Sequence, residues 1–248
     1  MRKFVRFLIS IILFSGAALP LAAAQAKFND FAANINKDNL EYFAKDLSGL
    51  LSAGTFTTGR ILGWGGFMLS GRAALMPKPS PKNTAFGPAD GSQYKIYPWI
   101  QGEIGLPFRL DGYIRASSYD GLTVAGGGLK WGIIPPKEVL YTFQPTVVVL
   151  AESGVHKDFS LTHYSADLVL SFKLPYVVPY VGGGVDYIKF TVQGADNDAT
   201  LIGTVAYATT PRGTAGFNFK LPAYVDLSLA ANYASYGLGA EASLGVRF

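Results

Sequence analysis

From residue 63 to the last residue, apolar and polar side chains alternate with a period of two, interrupted at intervals by proline, glycine and acidic residues. Such alternation predicts β-strands with one apolar and one polar face. In the final stretch, GAEASLGVRF (239–248), Phe248, Val246, Leu244, Ala242 and Ala240 share one face. Arg247, Gly245, Ser243, Glu241 and Gly239 share the other. Nine earlier segments read the same way: 63–76, 96–106, 110–119, 122–134, 139–152, 159–173, 179–192, about 212–221, and 223–235. The clearest is 159–173, where Tyr164, Ala166, Leu168, Leu170 and Phe172 oppose His163, Ser165, Asp167, Val169, Ser171 and Lys173. About ten strands are therefore predicted.

The breaks between strands fall into two kinds. Leu106-Pro107, Pro135-Pro136-Lys137-Glu138, Leu174-Pro175 and Leu221-Pro222 mark short turns. Segment 77–95 carries Pro77, Pro79, Pro81 and Pro88 and reads as a long loop. Segment 193–211 starts polar, turns apolar over 201–208 and is interrupted by Pro211. It reads as an extended loop or a short extra helix. Ahead of the strands, one helix is predicted over 38–53. Asp38 is its candidate cap, Glu41 follows three residues later, and Leu40, Phe43, Leu47, Leu50 and Leu51 recur at helical spacing before Gly54. This helix packs on one end of the domain or plugs its mouth; both readings stay open.

Composition narrows the class. Arg2, Lys3 and Arg6 precede an apolar run over 7–21 and small-residue cleavage sites at Ala22-Ala23-Ala24 and Ala24-Gln25-Ala26. That is the pattern of a secretory signal peptide, 1–24. An N-terminal segment, 25–62, and a strand-rich domain, 63–248, follow. The chain has 21 Lys+Arg against 17 Asp+Glu, and three of the basic residues belong to the signal. The rest is nearly neutral, without the basic patch that nucleic acid requires. There is no cysteine, which excludes disulfides, thiolate metal sites and cysteine nucleophiles. After the signal no apolar run reaches the ~18 residues of a membrane-spanning helix.

An export signal followed by alternating strands that end on an aromatic carboxylate resembles a bacterial outer-membrane β-barrel. Short pieces such as AGGGLKWGI (125–133) and PYVGGGVDY (179–187) are similar to strands of such proteins. GRILGWGGFMLSGRAAL (59–75) resembles the N-terminal part of an uncharacterised barrel family. The resemblance implies an all-β fold, a transmembrane antiparallel barrel in the outer membrane with its wall against lipid. It implies recognition by the barrel-assembly machinery through Phe248, Val246 and Leu244. Two further features suit it. Aromatics gather near strand ends (Tyr97, Trp99, Tyr113, Trp131, Tyr141, Phe172, Tyr176, Tyr180, Phe217, Phe219, Tyr224 and Phe248), where girdles form. Charges sit within strands on the polar face: Arg72, Glu103, Arg115, Lys130, Asp167, Asp186, Asp226 and Glu241. These eight are the predicted lumen lining, setting selectivity if the lumen is wet and salt bridges if it is dry. An even strand count places both termini on the short-turn, periplasmic side.

The leading functional expectation is a small pore or small-solute transporter, with a structural or surface-anchoring barrel as the alternative. An enzyme is disfavoured. His163, Ser165 and Asp167 share a strand face but, by register, look into the lumen. His156 and Asp158, with Asp196 and Asp198 of another loop, form a weak rim set. Asp196, Asn197 and Asp198 lack the further ligands of a calcium loop. The glycine runs 126–128 and 182–184 precede no helix and so are not phosphate loops. No metal or cofactor is expected.

Overall fold

A computed structural model describes residues 27–86, 94–135 and 139–248. The signal peptide, Pro88 and the Pro136-Lys137-Glu138 part of the second turn lie outside them. Ten strands follow one another: β1 (Phe67–Met76), β2 (Lys95–Leu106), β3 (Leu110–Tyr119), β4 (Leu122–Gly132), β5 (Phe143–Val155), β6 (Phe159–Phe172), β7 (Val177–Val192), β8 (Val205–Leu221), β9 (Val225–Ala234) and β10 (Gly237–Arg247). Each pairs antiparallel with its sequence neighbours, and β1 pairs with β10. The sheet closes into a barrel, which leaves no edge. Phe67 and Phe248 complete the seam with two backbone hydrogen bonds, at 3.2 and 2.8 Å.

The alternation read from sequence sets the two faces of the wall. Along β6, His163, Ser165, Asp167, Val169 and Ser171 are buried inside, while Tyr164, Ala166, Leu168 and Leu170 are exposed outside. The same split holds along β4, where Leu129 and Trp131 face out and Lys130 faces in. Exposed aromatics form two belts on the outer wall. One, near the end that holds the C-terminus, includes Phe217 and Phe248; the other comprises Tyr164, Tyr187, Tyr207 and Tyr233. Ten residue steps along β8 separate Tyr207 from Phe217. At ~3.3 Å per residue and a tilt of ~40°, that is roughly 25 Å of apolar wall, the height of an outer-membrane barrel's apolar band.

Several sequence expectations are corrected. Tyr97, Trp99, Tyr113 and Tyr180 are not girdle residues; they point inward and are buried. Parity explains this, because each shares its face with the lumen charges of its own strand or of its paired neighbour. Residues 63–66 lie before β1, and 139–142 lie outside β5, so the β4–β5 link is longer than a tight turn. β8 begins at Val205 and runs through Pro211. Its pairing with β9 starts only at Gly213, so Pro211 has a ladder on one side alone, where proline is tolerated. Two Leu-Pro corners share one geometry: Phe108 and Arg109, and likewise Ala223 and Tyr224, all have φ of 62–65°. Paired left-handed residues suit the right-handed twist of a hairpin.

The largest departure is at the N-terminus. Residues 27–66 thread the barrel from end to end. One helical turn, α1 (Phe31–Asn34), precedes a 13-residue helix, α2 (Leu40–Ser52). Asp38 does not cap α2. The capping position is Asn39, whose side chain instead accepts from Asn36 N at 2.9 Å, while Asn36 Oδ1 accepts from Asp38 N and Asn39 N at 3.0 Å. Nearly all of α2 is buried, because its neighbours are β6, β7, β8 and β1. Of the two helix readings, the structure takes the plug.

Candidate functional site: the occluded lumen

Phenylalanines close the end away from the C-terminus. Phe28, Phe31, Phe43, Phe86, Phe159 and Phe190 pack together with ring centroids 4.8–6.1 Å apart, distances that suit aromatic pairs. His156 stacks on Phe159 at 4.6 Å, and its burial holds the imidazole below the ordinary range. Lys95 lies 3.6 Å from the Phe28 ring centroid and pairs with Asp120. Deeper, Asp46 on α2 accepts from Ser80 N at 2.8 Å, Asn83 Nδ2 at 2.7 Å and Ser235 Oγ at 3.0 Å. Two loops are thereby tied to the plug.

The helix ends in mid-lumen, where its last carbonyls lack helical partners and carry the negative end of the macrodipole. The wall supplies cations. Arg115 donates to Leu51 O and, at 3.2 Å, to Thr55 Oγ1. Arg72 donates to Gly54 O at 2.7 Å and Thr55 O at 2.9 Å. Each arginine is neutralised in turn. Glu152 takes two bonds of 2.9 Å from Arg115, and Glu103 pairs with both Arg72 and Lys130. On the opposite wall, Arg212 grips Asp167 at 2.7 and 2.8 Å and stands 3.4 Å from Asp186. Glu241 accepts from Asn232 at 2.9 Å, and Asp226 lies 3.6 Å from Arg247. All eight residues predicted to line the lumen are buried there. The network joins all eight to another charge or to the threaded backbone, Glu241 through the backbone of Gly54.

Below the helix the chain continues without regular secondary structure and is held by the wall. Gly59 N donates to Ser171 Oγ, and Leu62 N donates to Asp111 Oδ2 at 2.7 Å. At the far mouth Gly65 N donates to Gly105 O at 3.2 Å, and Gly105 N to Gly66 O at 2.7 Å.

Sequence reasoning missed one constellation. The hydrogen bonds of His163 do not go to Ser165 or Asp167; those two bond each other at 2.9 Å. Its Nδ1 meets Glu152 at 2.9 Å, and its Nε2 meets Ser52 Oγ at 3.0 Å. This is the order of a serine–histidine–acid set. Ser52 is fully buried, however, and also donates to Ser48 O at 3.0 Å. No sequence signal links Ser52 with His163, because the plug brings them together. His156 lies 3.7 Å from Asp158 and is not joined by Asp196 or Asp198. Asp198 caps its own turn through Thr200, and Asp196 N donates to Ala32 O at 2.8 Å. A groove of about 1200 Å³ runs along β1–β4, lined chiefly by outward residues such as Leu69, Ile100, Ile104 and Ile114. It belongs to the outer wall and not to the lumen.

No protein-family model matches the chain, and neither does any curated protein. Among solved structures it is similar to OprG from Pseudomonas aeruginosa, with 12% identity, TM-score 0.37, and coverage of 77% of this chain and 99% of that one. It is also similar to the N-terminal β-barrel domain of Pseudomonas aeruginosa OprF, with 11% identity, TM-score 0.35, and coverage of 75% and 99%. Neisserial surface protein A gives 12% identity, TM-score 0.31, and coverage of 73% and 95%.

Proposed function

We propose that this chain is an outer-membrane β-barrel that acts as a closed anchor for its loop face, with its own N-terminal segment filling the lumen, and not as an open pore. The apolar outer wall and the aromatic belts support the membrane reading. One observation carries the closed reading: Arg115 and Arg72, fixed by Glu152 and Glu103, bind carbonyls of Leu51, Gly54 and Thr55 in mid-lumen. The charges that a pore would present to solutes are spent on the plug and on one another. Buried pairs of this kind are costly to break singly, so the segment is not a loosely seated lid.

The test is conductance of the purified, folded full-length protein in planar bilayers, beside a variant lacking 27–62. The expected result is silence from the full-length chain and discrete openings from the truncation. Steady openings from the full-length protein would overturn the closed reading and restore the small-solute pore.

A further inference from the structure

The threaded segment has a direction. Strand β3 gives the scale, since Asp111 stands at its start and Asp120 just past its end. Asp111 accepts from Leu62 N at 2.7 Å, and Asp120 accepts from Phe28 N at 2.8 Å. The two ends of the segment are thus held at opposite mouths of one barrel. β6 repeats the relation, with Ser171 on Gly59 at one end and Phe159 against Phe28 and Phe31 at the other. The mouth that receives Phe28 also holds residues 77–86 and the loop 193–204. These loops touch the segment directly: Asn39 Nδ2 donates to Thr84 Oγ1 at 2.8 Å, and Asn197 Nδ2 donates to Ala33 O. The mouth that Gly63–Gly66 leave holds the C-terminus and both left-handed Leu-Pro corners. An even strand count brings both ends of the barrel to one side, but the residues before β1 turn back through the lumen and finish on the other.

We infer that the barrel carries its own N-terminal segment across the membrane and displays the chain at Lys27 on the face opposite its C-terminus. This rests on the outer-membrane reading above. Long loops face outward and short turns face the periplasm in such barrels, so Lys27 lies at the cell surface beside residues 77–86 and 193–204. The seating explains why the segment stays. Phe28, Phe31 and Phe43 are locked in the aromatic cluster at one end, and Arg72 and Arg115 bind the carbonyls of Leu51, Gly54 and Thr55 below them. The consequence is an exposed composite surface made by the segment at Lys27 and residues 77–86 and 193–204.

The chain has no cysteine, so single-cysteine variants report position without background. Lys27→Cys, Lys82→Cys and Tyr224→Cys place one thiol at the segment start, one on a long loop and one at the opposite mouth; all three side chains are exposed. Intact cells are treated with a membrane-impermeant maleimide, before and after the outer membrane is permeabilised. The expected result is labelling of Lys27→Cys to the same extent as Lys82→Cys on intact cells, and of Tyr224→Cys only after permeabilisation. If Lys82→Cys labels on intact cells while Lys27→Cys behaves like Tyr224→Cys, threading is overturned and the membrane reading survives. If Tyr224→Cys labels and the other two are protected, the orientation is reversed and surface display is overturned. If all three stay with the soluble fraction, the outer-membrane reading itself fails.

Discussion

Arg115 on β3 and Glu152 on β5 meet in mid-lumen through two hydrogen bonds of 2.9 Å, across the intervening strand β4. The same guanidinium lies 4.1 Å from the Trp99 ring centroid and donates to the carbonyl of Leu51. One side chain therefore joins two strands of the wall to the end of the plug helix. Arg115→Met leaves Glu152 and the Leu51 carbonyl buried without it. The expected loss is ~3–5 kcal/mol, the range for breaking one side of a buried pair. Arg115→Met with Glu152→Gln recovers a large part of that loss. Urea unfolding of the detergent-refolded protein, followed by heat-modifiable gel mobility, measures both; equal stability of the single and double variants would show that the pair is not coupled.

Ser52 joins the plug to His163 but is closed to substrate. A fluorophosphonate reagent is expected to leave the folded protein unmodified, and Ser52→Ala to cost ~1–3 kcal/mol by leaving His163 Nε2 without its partner. Stoichiometric labelling at Ser52, read by mass spectrometry, would reverse the non-enzymatic reading.

Gly105 marks the place where the threaded backbone leaves the lumen. A β-carbon built there would lie 1.6 Å from the carbonyl oxygen of Gly63, and its other near neighbours are also backbone atoms of Gly63, which cannot swing aside. Gly105→Ala is expected to unseat residues 63–66 at a cost of ~1–3 kcal/mol, as overpacking does. Faster proteolysis after Arg60, with an intact barrel core, is the readout.

The aromatic cap is expected to respond to pH through His156. Burial lowers its affinity for a proton in the folded state, with Asp158 and Asp120 opposing and Lys157 and Lys95 reinforcing that effect. A depressed value means stability that is whole above the ordinary histidine range near 6.5 and is lost as the pH falls through the folded value. Amide exchange over residues 28–36 is expected to quicken on acidification below that range. His156→Gln removes the dependence; an unchanged profile in that variant would assign the effect to the carboxylates.

The strands were legible in the sequence because a period of two leaves a mark at every residue. β3 falls where the alternation places it, at 110–119, and Lys130, Asp167 and Asp186 face inward as their parity requires. The inward placement of the eight charges is a local fact, set by parity within each strand, whereas closure pairs Met68 of β1 with Arg247 of β10, at opposite ends of the strand series. The aromatics were less legible. Tyr97, Trp99, Tyr113 and Tyr180 read as girdle from their position near strand ends, but their parity sends them inside. The path of residues 27–66 was not legible at all. An amphipathic helix such as α2 fits the outside of a domain as well as the inside of one, and nothing local to Ser52, Leu51 or Phe28 names His163, Arg115 or Asp120 as its partner. Only tertiary structure decides that, because these contacts join residues 64 to 111 positions apart, and their free energy comes from burying charge and carbonyl dipoles together once the wall has closed around the segment.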